Sequence, residues 1–283
     1  MTQNHIPHIA MLSVHTCPLA TLGGKETGGM NVYVRELARE LGNRGLPVDV
    51  FTRSQNPDIK RISYRLGNAV RVVHLPAGPE RPYDKNEIYG HLPEFVDGIR
   101  RFAAGEGITY DVLHSHYWLS GLAAHDLRET PGMAAGQARR APIVQMFHTL
   151  AELKNRVATS ASELEPALRS NCEGEIMRFA DVVVAATALE REQMQAYYGA
   201  DPARVQIIPP GVDLDLFRPL PCDEARAATG IPADHHMILF VGRIQAIKGI
   251  DTLILALAEL ARKRPHLKGK LALTIIGGSA EGG

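Results

Sequence analysis

Runs of apolar residues alternate with amphipathic stretches along most of the chain. The amphipathic stretches repeat apolar residues at helical spacing, as Val34, Leu37, Ala38 and Leu41 do. Several of the apolar runs are almost continuous and rich in Val and Ile, which is typical of strands buried on both faces. The alternation predicts a doubly wound parallel sheet with right-handed crossovers. Its strands are predicted at residues 8–14, 47–52, 69–76, 111–116, 142–148, 181–187 and 205–210.

The stretch PPGVDLDLFRPLP at residues 209–221 interrupts this rhythm, and its prolines and lone glycine predict a linker. The alternation then restarts with a strand at 237–243, a helix from Ile250, and a strand at 271–278. We therefore predict an α/β protein with a complete Rossmann-like domain at 1–215 and the first β-α-β unit of a second Rossmann-like domain at 216–283. A unit of roughly 65 residues is too small to bury a good core, so we expect the second domain to be incomplete here.

The charge balance, the cysteines and the lack of long apolar runs limit the kinds of partner and compartment that we expect for this chain. The 31 Lys and Arg residues balance the 31 Asp and Glu residues, so bulk charge gives no argument for a nucleic-acid or membrane-surface partner. The three cysteines are far apart and form no C-x-x-C pair, which supports neither a disulfide framework nor a zinc site. No signal peptide and no apolar run of about 18 residues is found, so we expect a cytoplasmic protein without a transmembrane segment.

A glycine-rich turn, GGKETGGMNVYVREL, connects the first strand to the first helix. Gly28 and Gly29 immediately precede that helix, where bare backbone at a helix N-terminus suits an anionic ligand. A tight turn without a ligand explains them equally well. The strict G-x-G-x-x-G spacing is absent and the loop is longer than a usual strand-to-helix connection, which disfavours a dinucleotide site.

Three histidines lie on or at the ends of predicted strands. His114 and His116 are two residues apart and share one face of a strand, and with His148 they raise the question of a metal. We favour hydrogen-bonded histidines instead, because no carboxylate or cysteine stands at a supporting spacing. His148 ends its strand at the carboxyl edge of the sheet, where such folds bind ligands.

Cations and hydroxyls at element ends suggest phosphate binding. Together they could form a cationic, hydroxyl-lined pocket, although each alone is more typical of a solvated surface. These residues are Lys85, Tyr117, Thr149, Lys154 and Arg169. Separately, Arg243 and Lys248 flank a strand–loop–helix turn, and two cations there suit a diphosphate whose charge grows as it leaves.

Five motifs in order carry a resemblance to a known family: GGMNVYVREL, HSHYWLSG, FHTLAELKN, IIPPGVDLDLFRP and FVGRIQAIKGID. The chain resembles the retaining glycosyltransferases of the group 4 family, which have the GT-B fold, and is most similar to the D-inositol-3-phosphate glycosyltransferase and sucrose-phosphate synthase branches. The resemblance implies an N-terminal acceptor domain and a C-terminal domain that binds a nucleotide-sugar, UDP-linked in these branches. The nucleotide-sugar is a substrate, so no cofactor is expected, and Mg²⁺ is not indicated. A homodimer is left open.

The resemblance also implies roles for individual residues. Arg243 and Lys248 match the pair that binds the sugar donor's diphosphate, and His148 matches a histidine beside the transferred sugar; these three form the expected catalytic set. Gly28 and Gly29 match backbone that faces the donor phosphates. The expected contacts to a phosphorylated acceptor such as inositol phosphate are Asn31, Lys85, Tyr117, Thr149 and Arg169. The family's Glu-x7-Glu motif lies beyond residue 283, so we expect a chain truncated in its donor domain and inactive alone.

Three alternatives remain open. A sucrose-phosphate synthase-like transferase would also need a phosphosugar pocket. A non-catalytic fragment would bind a phosphosugar without transferring anything. An NAD-dependent oxidoreductase would need an acidic residue at the end of the second strand, but that strand ends in VFTR.

Overall fold

The computed structural model describes residues 5–21, 27–129, 140–158, 160–242, 244 and 248–278. Arg243 therefore lies outside the described residues. The chain divides into two compact units. The first unit contains the described residues up to Leu153 together with Glu165–Pro209, and the second contains the described residues of 154–164 and those from Pro210 onward.

The first unit is built on one sheet with the strand order β3-β4-β2-β1-β5-β6-β7-β8. Every pairing in it is parallel except that of β3, which runs antiparallel to β4 at the edge. The strands are β1 (Ile9–Leu12), β2 (Val48–Arg53), β3 (Ile62–Ser63), β4 (Val70–Leu75), β5 (Val112–His116), β6 (Ile143–Met146), β7 (Val182–Ala185) and β8 (Val205–Ile207).

Helices connect these strands as the apolar periodicity predicts. They are α1 (Gly29–Asn43), α2 (Leu92–Glu106), α3 (Trp118–Glu129), α4 (Ala151–Val157), α5 (Ala167–Phe179) and α6 (Ala188–Tyr198), with a short 3-10 helix at Glu87–His91. Two cores form on the two faces of the sheet, because successive side chains of a strand point to opposite faces. In β1, Ala10 and Leu12 enter one core while Ile9 and Met11 enter the other.

The second unit contains a strand–helix–strand element. It consists of β9 (His236–Val241), α8 (Ile250–Lys263) and β10 (Leu271–Ile276), with β9 and β10 paired in parallel, and the helix α7 (Cys222–Thr229) precedes it. Its apolar side chains are largely exposed, with Val241 at 67% and Leu255 at 69% of full exposure. A single β-α-β element offers too little surface to cover them.

The predicted α/β class and the nine predicted strands are confirmed. The prediction missed β3, because two residues on an antiparallel edge carry no readable pattern. None of the helices in the described ranges is both long enough and apolar enough to cross a lipid bilayer. The assignment of acceptor and donor roles to the two domains stays a prediction.

Candidate active site at the carboxyl edge of the sheet

Three neighbouring strands end at the same edge of the sheet and present aromatic rings there. β1 pairs with β5 and β5 with β6, all in parallel, so the residues that follow them lie side by side. These residues are His15, Tyr117 and His148. The rings of His15 and Tyr117 are 4.3 Å apart between centroids. This edge is where doubly wound sheets bind ligands.

Tyr117 and His148 both have left-handed backbone. Their φ angles are 74° and 63°, which residues other than glycine rarely adopt. Two hydrogen bonds hold the backbone of Tyr117 in this conformation. The Tyr117 N–H donates to the carbonyl of Met146 at 2.8 Å, and the Gln145 side chain donates to the Tyr117 carbonyl at 3.2 Å. Such strain gathers at functional sites, and here it turns two side chains off the ends of adjacent strands.

Arg169, on α5, connects these strand ends to a buried acidic pair. Its guanidinium lies 4.6 Å from the ring centroid of Tyr117 and donates to the Thr149 carbonyl at 2.8 Å and to the Thr149 hydroxyl at 3.1 Å. Nε donates to Glu173 at 2.7 Å, and the Nη1 of Arg169 lies 3.0 Å from Glu165. Arg169 is fully buried, so the carboxylates offset the cost of burying its charge.

The same Glu165 oxygen also reaches the second cation. Lys85 Nζ lies 3.6 Å from it, so two cations from distant segments share one buried carboxylate. Arg53 fixes the segment that precedes Lys85: it donates to the carbonyls of Pro79 at 2.8 Å and Arg81 at 2.9 Å. The structure therefore brings together Lys85, Arg169, Tyr117 and Thr149, four of the five residues that the sequence analysis grouped. The fifth, Lys154, belongs to the second unit.

Glu165 and Glu173 were missed from the sequence. Glu173 is buried and accepts from the Ala151 backbone N–H at 2.9 Å and from the Tyr198 hydroxyl at 2.5 Å, besides Arg169. It thus fixes the start of α4 as well as Arg169. The only available signal was the four-residue spacing of both acids from Arg169, which is equally typical of exposed helical ion pairs.

His148 is hydrogen-bonded to a second histidine, as the strand-end interpretation predicted. Its Nε2 lies 3.0 Å from Nδ1 of His116, the last residue of β5. Tyr33, on α1, contacts both rings edge-on, at centroid distances of 5.7 Å to His116 and 5.1 Å to His148. The ring of His114 lies 4.3 Å from that of His116. In the described part of the chain, no group of three or more His, Cys, Asp or Glu is arranged to hold a metal ion.

The histidines at this edge are neutral at pH 7. Burial lowers the pKa of His15 to about 3, helped by the nearby positive charges of Lys85 and Arg169. Burial also lowers the pKa of His148 to about 3 and that of His116 well below its ordinary value. The cations of the site are therefore Lys85 and Arg169, and both are paired with buried carboxylates, Glu165 and Glu173.

Some buried polar atoms here have no hydrogen-bond partner among the described residues. They include the Tyr117 hydroxyl and the Nδ1 of His15. Burying an unpaired polar group costs about 1–3 kcal/mol, so such atoms usually have a role. His15 lies near the charges of Lys85 and Arg169, and the Tyr117 ring is in contact with the Arg169 guanidinium.

The N-terminus of α1 lies after the glycine-rich turn. Gly28 caps the helix, and its N–H donates to Asn31 Oδ1 at 2.8 Å. Asn31 is buried, and its amide also donates to the Thr16 hydroxyl at 2.6 Å and to the Cys17 carbonyl at 2.8 Å. Asn31 therefore shapes the turn, and a ligand would find only the remaining lone pair of its Oδ1. Gly29 is exposed, and a Cβ added there would meet nothing within 4 Å.

Lys248 lies in the second unit, just before α8, and its side chain is exposed. Gly249 caps α8 with a left-handed φ of 64°. The roles of Lys248 and Arg243 toward a diphosphate stay predictions, as do those of the other site residues.

Comparison with known proteins decides the family. The sequence model described as Glycosyltransferase Family 4 matches residues 27–216, and that described as Glycosyl transferases group 1 matches residues 222–282. The chain belongs to glycosyltransferase family 4. This confirms the resemblance drawn from the motifs.

Two relatives illustrate the similarity. The chain is 41% identical over 283 residues to the D-inositol 3-phosphate glycosyltransferase of Nocardiopsis dassonvillei, and 40% identical over 285 residues to that of Thermomonospora curvata. It is covered over 99% and 98% of its length respectively, and spans 64% of the length of each relative.

Solved structures give the same fold. Sucrose-phosphate synthase from Thermosynechococcus elongatus is 28% identical with a TM-score of 0.76, over 95% of this chain and 70% of that one. Anabaena HepE, solved in complex with UDP and glucose, is 16% identical with a TM-score of 0.55, over 95% of this chain and 69% of that one, and shows the fold alone. The predicted GT-B fold class is thereby confirmed.

Proposed function

We propose that this chain serves a retaining glycosyl transfer from a nucleotide-diphosphate sugar, UDP-linked, to a hydroxyl of a small phosphorylated acceptor such as inositol phosphate. One observation carries the acceptor class. Lys85 and Arg169 converge on one buried oxygen of Glu165, beside a Tyr117 hydroxyl that has no partner within the described ranges. Two cations and an unpaired hydroxyl are suited to a phosphate group.

The relatives' name supports inositol phosphate as the acceptor, because D-inositol 3-phosphate glycosyltransferases are about 40% identical to this chain. A phosphate held by Lys85, Arg169 and Tyr117 would orient the acceptor hydroxyl, and orientation alone contributes strongly to rate. His148, next to Thr149 on the same loop, would then face the transferred sugar.

No side chain needs to attack the sugar. In the proposed same-face reaction the acceptor oxygen bonds to the anomeric carbon, the bond to the diphosphate breaks, and the leaving phosphate takes the acceptor's proton. Arg243 and Lys248 would stabilise the leaving diphosphate as its charge grows.

Calorimetry on the chain tests the acceptor class. We expect inositol phosphate to bind and unphosphorylated inositol to bind at least ten-fold more weakly. Equal affinity for the two would overturn the proposal. A coupled UDP-release assay on the intact gene product then tests transfer.

A second candidate is a sucrose-phosphate synthase-like transferase with a sugar-phosphate acceptor. The likeness to sucrose-phosphate synthase, at a TM-score of 0.76, favours it. A hexose phosphate that binds more tightly than inositol phosphate in the same calorimetry would select this candidate. Binding of either acceptor without UDP release by the intact product would instead indicate a phosphosugar-binding fragment without transfer.

A further inference from the structure

In the hydrogen bond between His116 and His148, one ring must be the donor and the other the acceptor. Their nitrogens are 3.0 Å apart, and both imidazoles are neutral because burial lowers both pKa values. A neutral imidazole carries one N–H and one lone pair, so one histidine donates the shared proton and the other accepts it. The choice of donor determines whether Nδ1 of His148, its second nitrogen, carries a proton or a lone pair.

His116 is the more constrained partner. It is fully buried, and its Nε2 has no hydrogen-bond partner among the residues that the structure describes. If His148 donated through Nε2–H, the proton of His116 would lie on its own Nε2 as a buried, unpaired N–H. Orphaned buried N–H groups are rarer in proteins than under-used acceptors. The favoured arrangement leaves only a lone pair on that nitrogen.

We infer that His116 Nδ1–H donates to His148 Nε2, and that His116 is therefore a positioning residue which keeps the proton of His148 on Nδ1. His148 then presents an N–H, a hydrogen-bond donor, to whatever ligand lies before it. It does not present a lone pair that could act as a base.

Neighbouring groups hold the rings of His116 and His148 in place. His148 has a left-handed backbone, which limits where its ring can go. Tyr33 packs edge-on against both rings, and His114 packs against His116 from the same strand. Rotation of either ring would therefore disturb several contacts at once.

The tautomer of His148 is a property of the unliganded chain and does not depend on the proposed function. Only the identity of the group that His148 faces rests on that function. If His148 lies beside the transferred sugar, its N–H would donate to a sugar oxygen. This agrees with a reaction in which the leaving phosphate, and not a side chain, takes the acceptor's proton.

Nitrogen-15 NMR of the histidine rings tests the tautomer without substrate. The chain is labelled on histidine, its long-range ring correlations are recorded at pH 7.5, and His148 is assigned by the signals lost in His148→Gln. We expect a protonated Nδ1 and an unprotonated Nε2. A protonated Nε2 on His148 would overturn the inference.

Variants of His116 test the cause. His116→Asn keeps an N–H donor near the position of Nδ1 and should retain the Nδ1–H form of His148, whereas His116→Ala should shift the proton toward Nε2. His125→Asn, on α3 and packed against Phe179, is the control that should change neither. An unchanged His148 tautomer in His116→Ala, with the fold intact by circular dichroism, would show that His116 does not set it.

Transfer by the intact product adds a separate readout. We expect His116→Ala to lower kcat about ten-fold with little change in the KM for the acceptor, and His116→Asn to restore most of it. A product inactive with every acceptor would refute the proposed function while the NMR result still decides the tautomer.

Discussion

The Arg169 guanidinium lies 4.6 Å from the centre of the Tyr117 ring. Arg169 reaches Tyr117 from α5, and its other donors are held by Glu173 and Thr149. The stacked cation and the ring therefore form one unit, and we expect the effects of changing them to be non-additive.

Replacing Arg169 by Lys should weaken binding of inositol phosphate at least ten-fold. A lysine keeps the charge but loses the planar fork that stacks on Tyr117 while it donates to Thr149. Calorimetry measures the change, and Arg44→Lys, at an exposed helix end, is the matched control. Wild-type affinity in Arg169→Lys would show that the guanidinium geometry is not used.

Two tyrosine variants separate binding from stability. Tyr117→Phe should leave the free energy of unfolding within about 0.5 kcal/mol of wild type, because no described group bonds its hydroxyl, but should weaken inositol phosphate binding about three- to ten-fold. Tyr110→Phe should leave binding unchanged and cost about 1–3 kcal/mol, because its hydroxyl donates to buried Asp49 at 2.7 Å. Urea unfolding followed by the single, buried Trp118 measures the stabilities. The reverse pattern would contradict the site.

Asp49 should make the first unit sensitive to acid. Burial raises its pKa, but hydrogen bonds from His8, Arg71 and Tyr110 outweigh burial and hold the pKa below its usual value. The unfolded pKa is about 3.9, so this stabilisation is full above pH 4 and is lost as the pH falls through the folded pKa. Asp49→Asn should cost about 3 kcal/mol at pH 7, and the difference from wild type should narrow below pH 4. A difference that does not change with pH would argue against an ionised Asp49.

The buried histidines should make the stability of the folded chain depend on pH over a higher range than Asp49 does. His15 and His148 have folded pKa values of about 3, while unfolded histidine titrates near 6.5. Between these values the unfolded chain binds protons that the folded chain does not, so stability should fall as the pH drops from about 6.5 to 4. His148→Gln should make this decline shallower, by up to one proton in the slope of unfolding free energy against pH. An unchanged slope would mean that His148 is already protonated when folded.

Two glycines should respond oppositely to alanine. A Cβ at Gly121 would lie 2.6 Å from Gln145 Oε1 and 2.8 Å from Ile176, so Gly121→Ala should cost about 1–3 kcal/mol. Gly29→Ala meets open space at the start of α1 and should stabilise the chain by about 0.4–1 kcal/mol.

In the intact product Gly29→Ala should also raise the KM for the nucleotide-sugar, because backbone there is proposed to face the donor phosphates. An unchanged KM would remove Gly29 from the donor site.

The strand pattern was predictable because buried parallel strands are continuous in Val and Ile. Asn31 shows a limit of such prediction: its place in the motif indicated a ligand contact, while its side chain is largely committed to the turn through Thr16 and Cys17. Motif position cannot distinguish a residue that touches a ligand from one that shapes the loop around it.

The acidic residues of the site were not predictable for a different reason. Glu165 and Glu173 lie in a stretch of mixed charge that has the composition of a solvated helix. Glu173 on α5 and Glu165, just before α5, are buried as the counter-charges of Arg169. Only three-dimensional proximity shows that Lys85, 80 positions earlier in the sequence, shares one of them.

The left-handed backbone at Tyr117 and His148 has a consequence for the energetics of recognition. Both residues leave their strands already turned into the left-handed region, and hydrogen bonds with Met146 and Gln145 hold the Tyr117 backbone there. A ligand would therefore meet side chains whose orientation was settled beforehand, and little ordering entropy would remain to oppose binding. Selectivity at this edge would then depend on how well a ligand fits a rigid outline, so a close analogue with a displaced hydroxyl should be rejected rather than accommodated.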